Sequence, residues 1–135
     1  MDIALIDTDI LSEILKQRNA TVAAKALAYF QQHMGFTISA ITRYEVRRGH
    51  ILKKSHALWR FEKFCRHNRV ISVDDPALDR AAELWALGQA GGHPCGDADL
   101  IIAATALEHQ LVLVTGNTAH FSWIPGLRVE NWRMP

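Results

Sequence analysis

No apolar run in this chain approaches the ~20 residues that a membrane-spanning helix requires, so a helical membrane anchor is not expected. Only two cysteines occur, Cys65 and Cys95, and neither stands in a Cys-x-x-Cys or paired Cys/His spacing. A disulfide framework and a zinc site are therefore both unexpected, and the two thiols read as reduced groups of a cytoplasmic protein. The first residues lack a basic stretch and include Asp2, which does not read as a secretory signal. Repeats, low-complexity tracts and linkers are missing as well. Net charge is scarce too: 15 Lys and Arg against 14 Asp and Glu leave +1, a balance that by itself argues for no partner.

What is there is one domain's worth of folding sequence. The 135 residues are 49% hydrophobic and 21% charged, so residues 1–135 are expected to form a single domain. The charges are sorted along the chain. Nine Lys or Arg lie between Arg43 and Arg69, against Glu45 and Glu62. From Val70 to Leu100 the order reverses, with six Asp or Glu against Arg80 alone. Such a pattern can set a phosphate-attracting face beside a cation-collecting cluster, although a solvated helix surface would read the same way in the basic part.

Apolar spacing divides the chain into strands and helices by turns. IALID, FTISA, RVISVD, LVLVT and LRVENW read as strands. Helices are expected over DILSEILKQR, TVAAKALAYFQQH, ITRYEVRRGHILKK, SHALWRFEKFCRH, ALDRAAELWALGQ (with Pro76 in its first turn) and DADLIIAATALEHQ. AGGHPCG is the one clear loop, and TGNTAHF reads as a turn. Strands alternating with helices imply an α/β fold with a parallel sheet and helices on both faces. In such sheets the chemistry collects at the carboxyl ends of the strands.

The opening stretch IALIDTDI puts Asp7 at one such end, with Asp9 two positions on. A carboxylate at the end of a buried strand is costly unless something keeps it charged. Asp7 can cap the helix that follows, but Thr8 would serve there equally well. Asp9 suits a first helical turn through the helix dipole. Glu45 lies in the basic helix, and Gly96-Asp97-Ala98-Asp99 offers two acids where a helix start needs one, with Asp97 as N-cap. Oxygens from Asp7, Glu45, Asp99 and a neighbour suit a hard cation, Mg²⁺ or Mn²⁺, which can orient a water and offset charge on a phosphodiester.

With these pieces in place the chain resembles the PIN-domain ribonucleases, and within them the VapC-type toxins of toxin–antitoxin pairs. LIDTD, SAITRYEVRRG, GHPCGDADLIIAATAL and LVTGNTAHFSWIPGLRVENW carry the resemblance from end to end. It implies a three-layer α/β/α sandwich with a parallel sheet of about five strands. It implies catalytic and metal-holding roles for Asp7, Glu45 and Asp99, with Asp97 an auxiliary ligand or cap. The family's fourth acidic position falls in TGNTAHF, where Asn117 and His120 stand instead, so one firm cation site is expected, with Asp9 restoring some charge. The implied reaction is hydrolysis of RNA, such as tRNA, by an activated water, leaving a 5′-phosphate. Partners implied are the RNA, a small antitoxin protein and a second copy of the chain. Arg43, Arg47, Arg48, Lys53 and Lys54 are then candidates for RNA-backbone contacts. Two other readings compete: a catalytically weakened PIN fold that only binds RNA or protein, and a haloacid-dehalogenase-like phosphohydrolase. The second wants Thr or Val where Leu11 stands.

Overall fold

Residues along each central strand alternate between two separate cores, and this alternation builds the layers. In β1 (Ala4–Ile6), Ala4 and Ile6 join one core while Leu5 joins the other. In β4 (Val112–Val114), Val112 and Val114 match the first set and Leu113 the second. A strand whose both faces are apolar can be buried only between two helical layers. The computed structural model, which describes residues 1–135, has that arrangement.

The first core is completed by α1 (Thr8–Lys16), α2 (Ala20–His33), α3 (Ala40–Leu52) and α4 (Leu58–His67). Ile10, Leu11, Val22, Tyr29, Val46 and Phe61 are their buried contributions, closed by Trp132 near the end of the chain. The second core takes α5 (Asp75–Gly91), α6 (Asp97–Glu108) and the short α7 (Thr118–Phe121). Helix α6 carries Ala103, Ala104 and Ala106, all fully buried, and these small side chains let it pack closely against its neighbours.

All pairings are parallel. Strand β1 pairs with β4 in the register Ala4↔Val112 to Ile6↔Val114, and β4 pairs with β5 (Val129–Glu130). Strands β2 (Thr37–Ser39) and β3 (Arg69–Ile71) form a second parallel pair. Strand β2 packs beside β1 without laddering to it, so the five expected strands form a hydrogen-bonded three and two.

Several boundaries move from their expected places, each for a local reason. The strand RVISVD stops at Ile71 because Asp74 turns out to cap α5, accepting from Ala77 N–H at 3.1 Å. Helix α5 runs through Gly91 and ends at Gly92, whose φ of 72° closes the last turn, so the AGGHPCG loop is shorter than it reads. TGNTAHF contains helix α7 where a turn was expected. Asp97 is not the N-cap of α6. Gly96 holds that position, and Asp97 is the first helical residue, exposed to solvent.

Candidate active site

Two strand ends meet just beyond the β1–β4 ladder. Asp7 N–H donates to Val114 C=O at 2.8 Å, and Thr115 N–H donates to Glu130 C=O at 2.9 Å. Each residue thus continues its strand by one step, which sets the Asp7 and Thr115 side chains next to each other. The Thr115 hydroxyl, itself buried, donates to Asp7 Oδ2 at 2.8 Å. Oδ1 of Asp7 accepts from Thr8 N–H at 2.8 Å, so the residue is also the N-cap of α1. The capping reading of Asp7 is thus met, and the residue also stands at the carboxyl end of β1.

Only 6% of Asp7 is exposed, and its two donors are uncharged. Burial is the main cause that pushes its carboxyl up to about 6, with repulsion from Asp9 and Asp99 adding and the Thr115 hydroxyl opposing. Asp9 lies beside Asp7, since the consecutive residues Thr115 and Gly116 hold the two carboxylates. Asp9 is steadied by Gly116 N–H at 2.9 Å on Oδ2 and by Ile10 N–H at 2.7 Å on Oδ1. The Arg133 guanidinium lies 3.6 Å from Asp9 and 2.9 Å from Glu13. It crosses directly over Gly116, where a Cβ would stand 2.2 Å from Arg133 Nη1. Glycine there makes room for the cation.

Glu45 arrives from α3, which starts directly after β2 because Ser39 caps it, accepting from Ile41 N–H at 3.1 Å. The Thr8 hydroxyl bridges inward, 2.8 Å from Glu45 Oε1 and 3.1 Å from buried Thr42 Oγ1. Thr8 therefore links the Asp7 carboxylate, through its N–H, to Glu45, through its hydroxyl. Arg48 stands 3.8 Å from the other Glu45 oxygen and also stacks over Tyr44.

Asp99 is in the first turn of α6, and its Oδ2 lies 3.0 Å from His120 Nε2 on α7. The same ring nitrogen lies 3.3 Å from Cys95 Sγ. The ligand atoms of Cys95, Asp99 and His120 all fall within 4.8 Å of one another. This corrects the expectation that the cysteines and histidines form no metal-type group. No short spacing could signal it, because Cys95 and His120 are 25 residues apart in sequence and meet only in the fold. Burial, with the Asp99 charge adding, pushes the Cys95 thiol up to about 11. Asp7, Glu45 and Asp99 are not drawn into so tight a group.

The other candidates divide. Asn117 is exposed, and its backbone carbonyl, rather than its side chain, accepts from His120 N–H at 3.1 Å. Asp97 lines an apolar groove between α5 and α6 with Leu78, Trp85 and Ile101 and is not a member of the Cys95–Asp99–His120 group. Arg47 pairs with Glu62 of α4, and with Arg43 it lines a polar hollow of about 570 Å³ between α3 and α4. Lys53 and Lys54 are exposed just past α3. Thr42, Cys95 and Arg133 are the site neighbours that sequence reading passes over. Arg133 touches Glu13 across a separation of 120 residues, which no local pattern reveals.

Comparison with known proteins agrees with this geometry. The PIN domain model matches residues 4–125. The tRNA(fMet)-specific endonuclease VapC of Shigella flexneri is 30% identical over 133 residues, spanning 95% of this chain and 96% of that protein. The crystal structure of FitAcB from Neisseria gonorrhoeae gives a TM-score of 0.83 at 28% identity, covering 98% of this chain and 100% of that one. DNA-bound VapBC from Salmonella typhimurium gives 0.80 at 29% identity, covering 98% and 99%. A family match over almost the whole length, met by a parallel α/β/α fold with acids at its strand ends, makes this chain a member of the PIN-domain family.

Proposed function

We propose that this chain is a metal-dependent endoribonuclease, acting on structured RNA of the tRNA class and serving as the toxin of a toxin–antitoxin pair. The end-to-end match to a relative named as a tRNA(fMet)-specific endonuclease carries this reading. The neighbours solved as VapBC complexes support a protein partner for this chain too. The substrate RNA, a cognate antitoxin and a homodimer are the assemblies we assign to it, in the cytoplasm.

The donor set suits a hard cation. Asp7 is a buried carboxylate whose hydrogen bonds come only from neutral groups, with two more carboxylates close enough to raise its pKa. Such crowding calls for positive charge, and oxygen donors favour Mg²⁺ or Mn²⁺ over softer ions. Asp7, Asp99 and Glu45 would hold it, with the waters that Mg²⁺ retains filling the rest of its shell. When bound, it supplies positive charge for the phosphodiester and a more acidic water.

The chain's own groups then have separable tasks. Water adds at phosphorus, the P–O3′ bond breaks to leave a 5′-phosphate and a 3′-hydroxyl, and the proton the water gives up ends on the departing O3′. Asp7 is the residue we assign first to the cation, since a buried carboxylate with only neutral donors needs positive charge beside it. Thr115 holds Asp7 Oδ2 in place. Thr8 orients Glu45, and His120 orients Asp99. Brief induction of the protein, followed by mapping of new 5′ ends in cellular RNA, tests the assignment. We expect cuts concentrated at one site in a tRNA with the native chain and none with Asp7→Asn. Unchanged cutting by Asp7→Asn would remove Asp7 from the machinery, and no new ends from the native chain would leave a binding module.

A further inference from the structure

We propose that Cys95, Asp99 and His120 form a binding site for a thiophilic divalent cation of the zinc class, and that filling it silences the nuclease. The silencing rests on the function proposed above; the binding does not.

The geometry is close to what such an ion needs. Tetrahedral bonds of ordinary length would place sulfur and nitrogen about 3.5 Å apart, and nitrogen and oxygen about 3.4 Å apart. The observed separations are 3.3 Å for Cys95 Sγ to His120 Nε2 and 3.0 Å for His120 Nε2 to Asp99 Oδ2. Widening by a few tenths of an ångström would seat the ion. One thiolate and one carboxylate together neutralise a 2+ charge, and the imidazole adds a neutral donor. Three protein ligands leave a fourth position for water. Magnesium has no use for the sulfur or the ring nitrogen, so the set discriminates against it.

The scaffold holds the ligands in place. Asp99 is fixed in the first turn of α6. His120 is tied through its carbonyl, which accepts from Trp123 Nε1–H at 2.9 Å. The Trp123 ring stacks on His93 at an interplanar angle of 2°, two residues before Cys95. His93 N–H in turn donates to Gly88 C=O at 2.8 Å. The loop carrying Cys95 and the helix carrying His120 are thus clamped to each other through Trp123.

Asp99 is what connects this site to the chemistry. It is assigned above to the hard-cation set, and its Oδ2, 3.0 Å from His120 Nε2, is also a ligand atom of the thiophilic group. A zinc-class ion held by Cys95 and His120 turns the Asp99 carboxylate toward itself and removes it from the hard-cation set. The two ions compete for one side chain.

The test adds Co²⁺ to the chelator-treated full chain and follows thiolate-to-cobalt charge transfer in the near ultraviolet. We expect one equivalent to produce the band, Cys65→Ser to keep it, and both Cys95→Ser and His120→Gln to lose it. Loss of a direct ligand costs more than the roughly 10–100-fold in affinity that removing an outer partner costs. Circular dichroism of each variant separates a lost ligand from a lost fold, and either variant alone suffices if the other does not fold. In the same preparations Zn²⁺ should slow Mg²⁺-driven RNA cleavage by the native chain, and Cys95→Ser should need at least about tenfold more Zn²⁺ for the same effect. No band, or a band that survives Cys95→Ser, overturns the site. A normal band with cleavage indifferent to Zn²⁺ overturns the silencing alone. Absence of cleavage from every preparation removes the nuclease reading, while the cobalt spectrum still decides the site.

Discussion

Asp7 carries two burdens at the scale of a single residue. It caps a helix, for which a carboxylate is favourable, and it lies where burial makes the charge unfavourable. Its carboxyl is raised from 3.8 to about 6, which corresponds to about 3 kcal/mol between the two protonation states. The sign follows from linkage. An acid with a higher pKa folded than unfolded stabilises the fold fully below the unfolded value, and that contribution is lost as pH rises through about 6. Without divalent cations the native chain should therefore lose stability between pH 4 and pH 7 by an amount that Asp7→Asn does not lose. We expect Asp7→Asn to be about 1–3 kcal/mol more stable than the native chain at pH 7.5 in chelator. Chemical denaturation of both proteins at the two ends of this range measures it. Equal pH slopes would mean that Asp7 is not the strained group.

Among the elements, α5 and the loop after it determine where the metal-type ligands sit. Gly88 is a helical position with no room for a side chain. A Cβ there would lie 2.7 Å from His93 C=O and 3.0 Å from Trp123 Cη2. Alanine would gain roughly 1 kcal/mol in helix propensity. It would also push a backbone carbonyl and an indole apart, and overpacking of that kind costs about 1–3 kcal/mol. The contact decides, because backbone cannot step aside as a flexible side-chain end can. Gly88→Ala should lower the thermal midpoint and weaken Co²⁺ binding at Cys95, although Gly88 touches no ligand. Gly49, with open space around its α-carbon, is the control: Gly49→Ala should leave Co²⁺ binding unchanged.

For the whole molecule, charge that sums to +1 is spread unevenly, and the unevenness matters for RNA. Part of the basic stretch is already occupied. Arg47 is paired with Glu62, holding α3 to α4, and Arg48 lies over Tyr44 near Glu45. Lys53 and Lys54 take part in none of the ion pairs. Free cations change the salt dependence of nucleic-acid binding, whereas paired ones chiefly support the fold. A Lys53→Ala/Lys54→Ala double variant should flatten the plot of log affinity against log salt by about one to two units for tRNA. Arg47→Ala should flatten it less and cost up to about 1 kcal/mol of stability. Filter binding over a range of salt concentrations, with a cleavage-deficient background, reads the slopes. An unchanged slope in the lysine variant would place the RNA on another face.

The alternation of strand and helix patterns was enough to determine a parallel α/β fold with acids at strand ends, because a 2-residue period, a 3.6-residue period and their order are local properties of the chain. For the same reason Asp7 and Asp99 stood out in the sequence: one ends a recognisable strand and the other lies in the first turn of a recognisable helix, whereas Glu45 lies mid-helix. What the chain order could not carry was contact between distant segments. That Thr115 holds Asp7, that Arg133 crosses Gly116 to reach Asp9, and that Cys95 meets His120 are consequences of strands β1 and β4 lying side by side and of Trp123 clamping the loop. The start of α5 likewise depended on the Asp74 side chain finding a backbone partner. Periodicity tells a residue which layer it belongs to; only packing tells it which side chain it will face there.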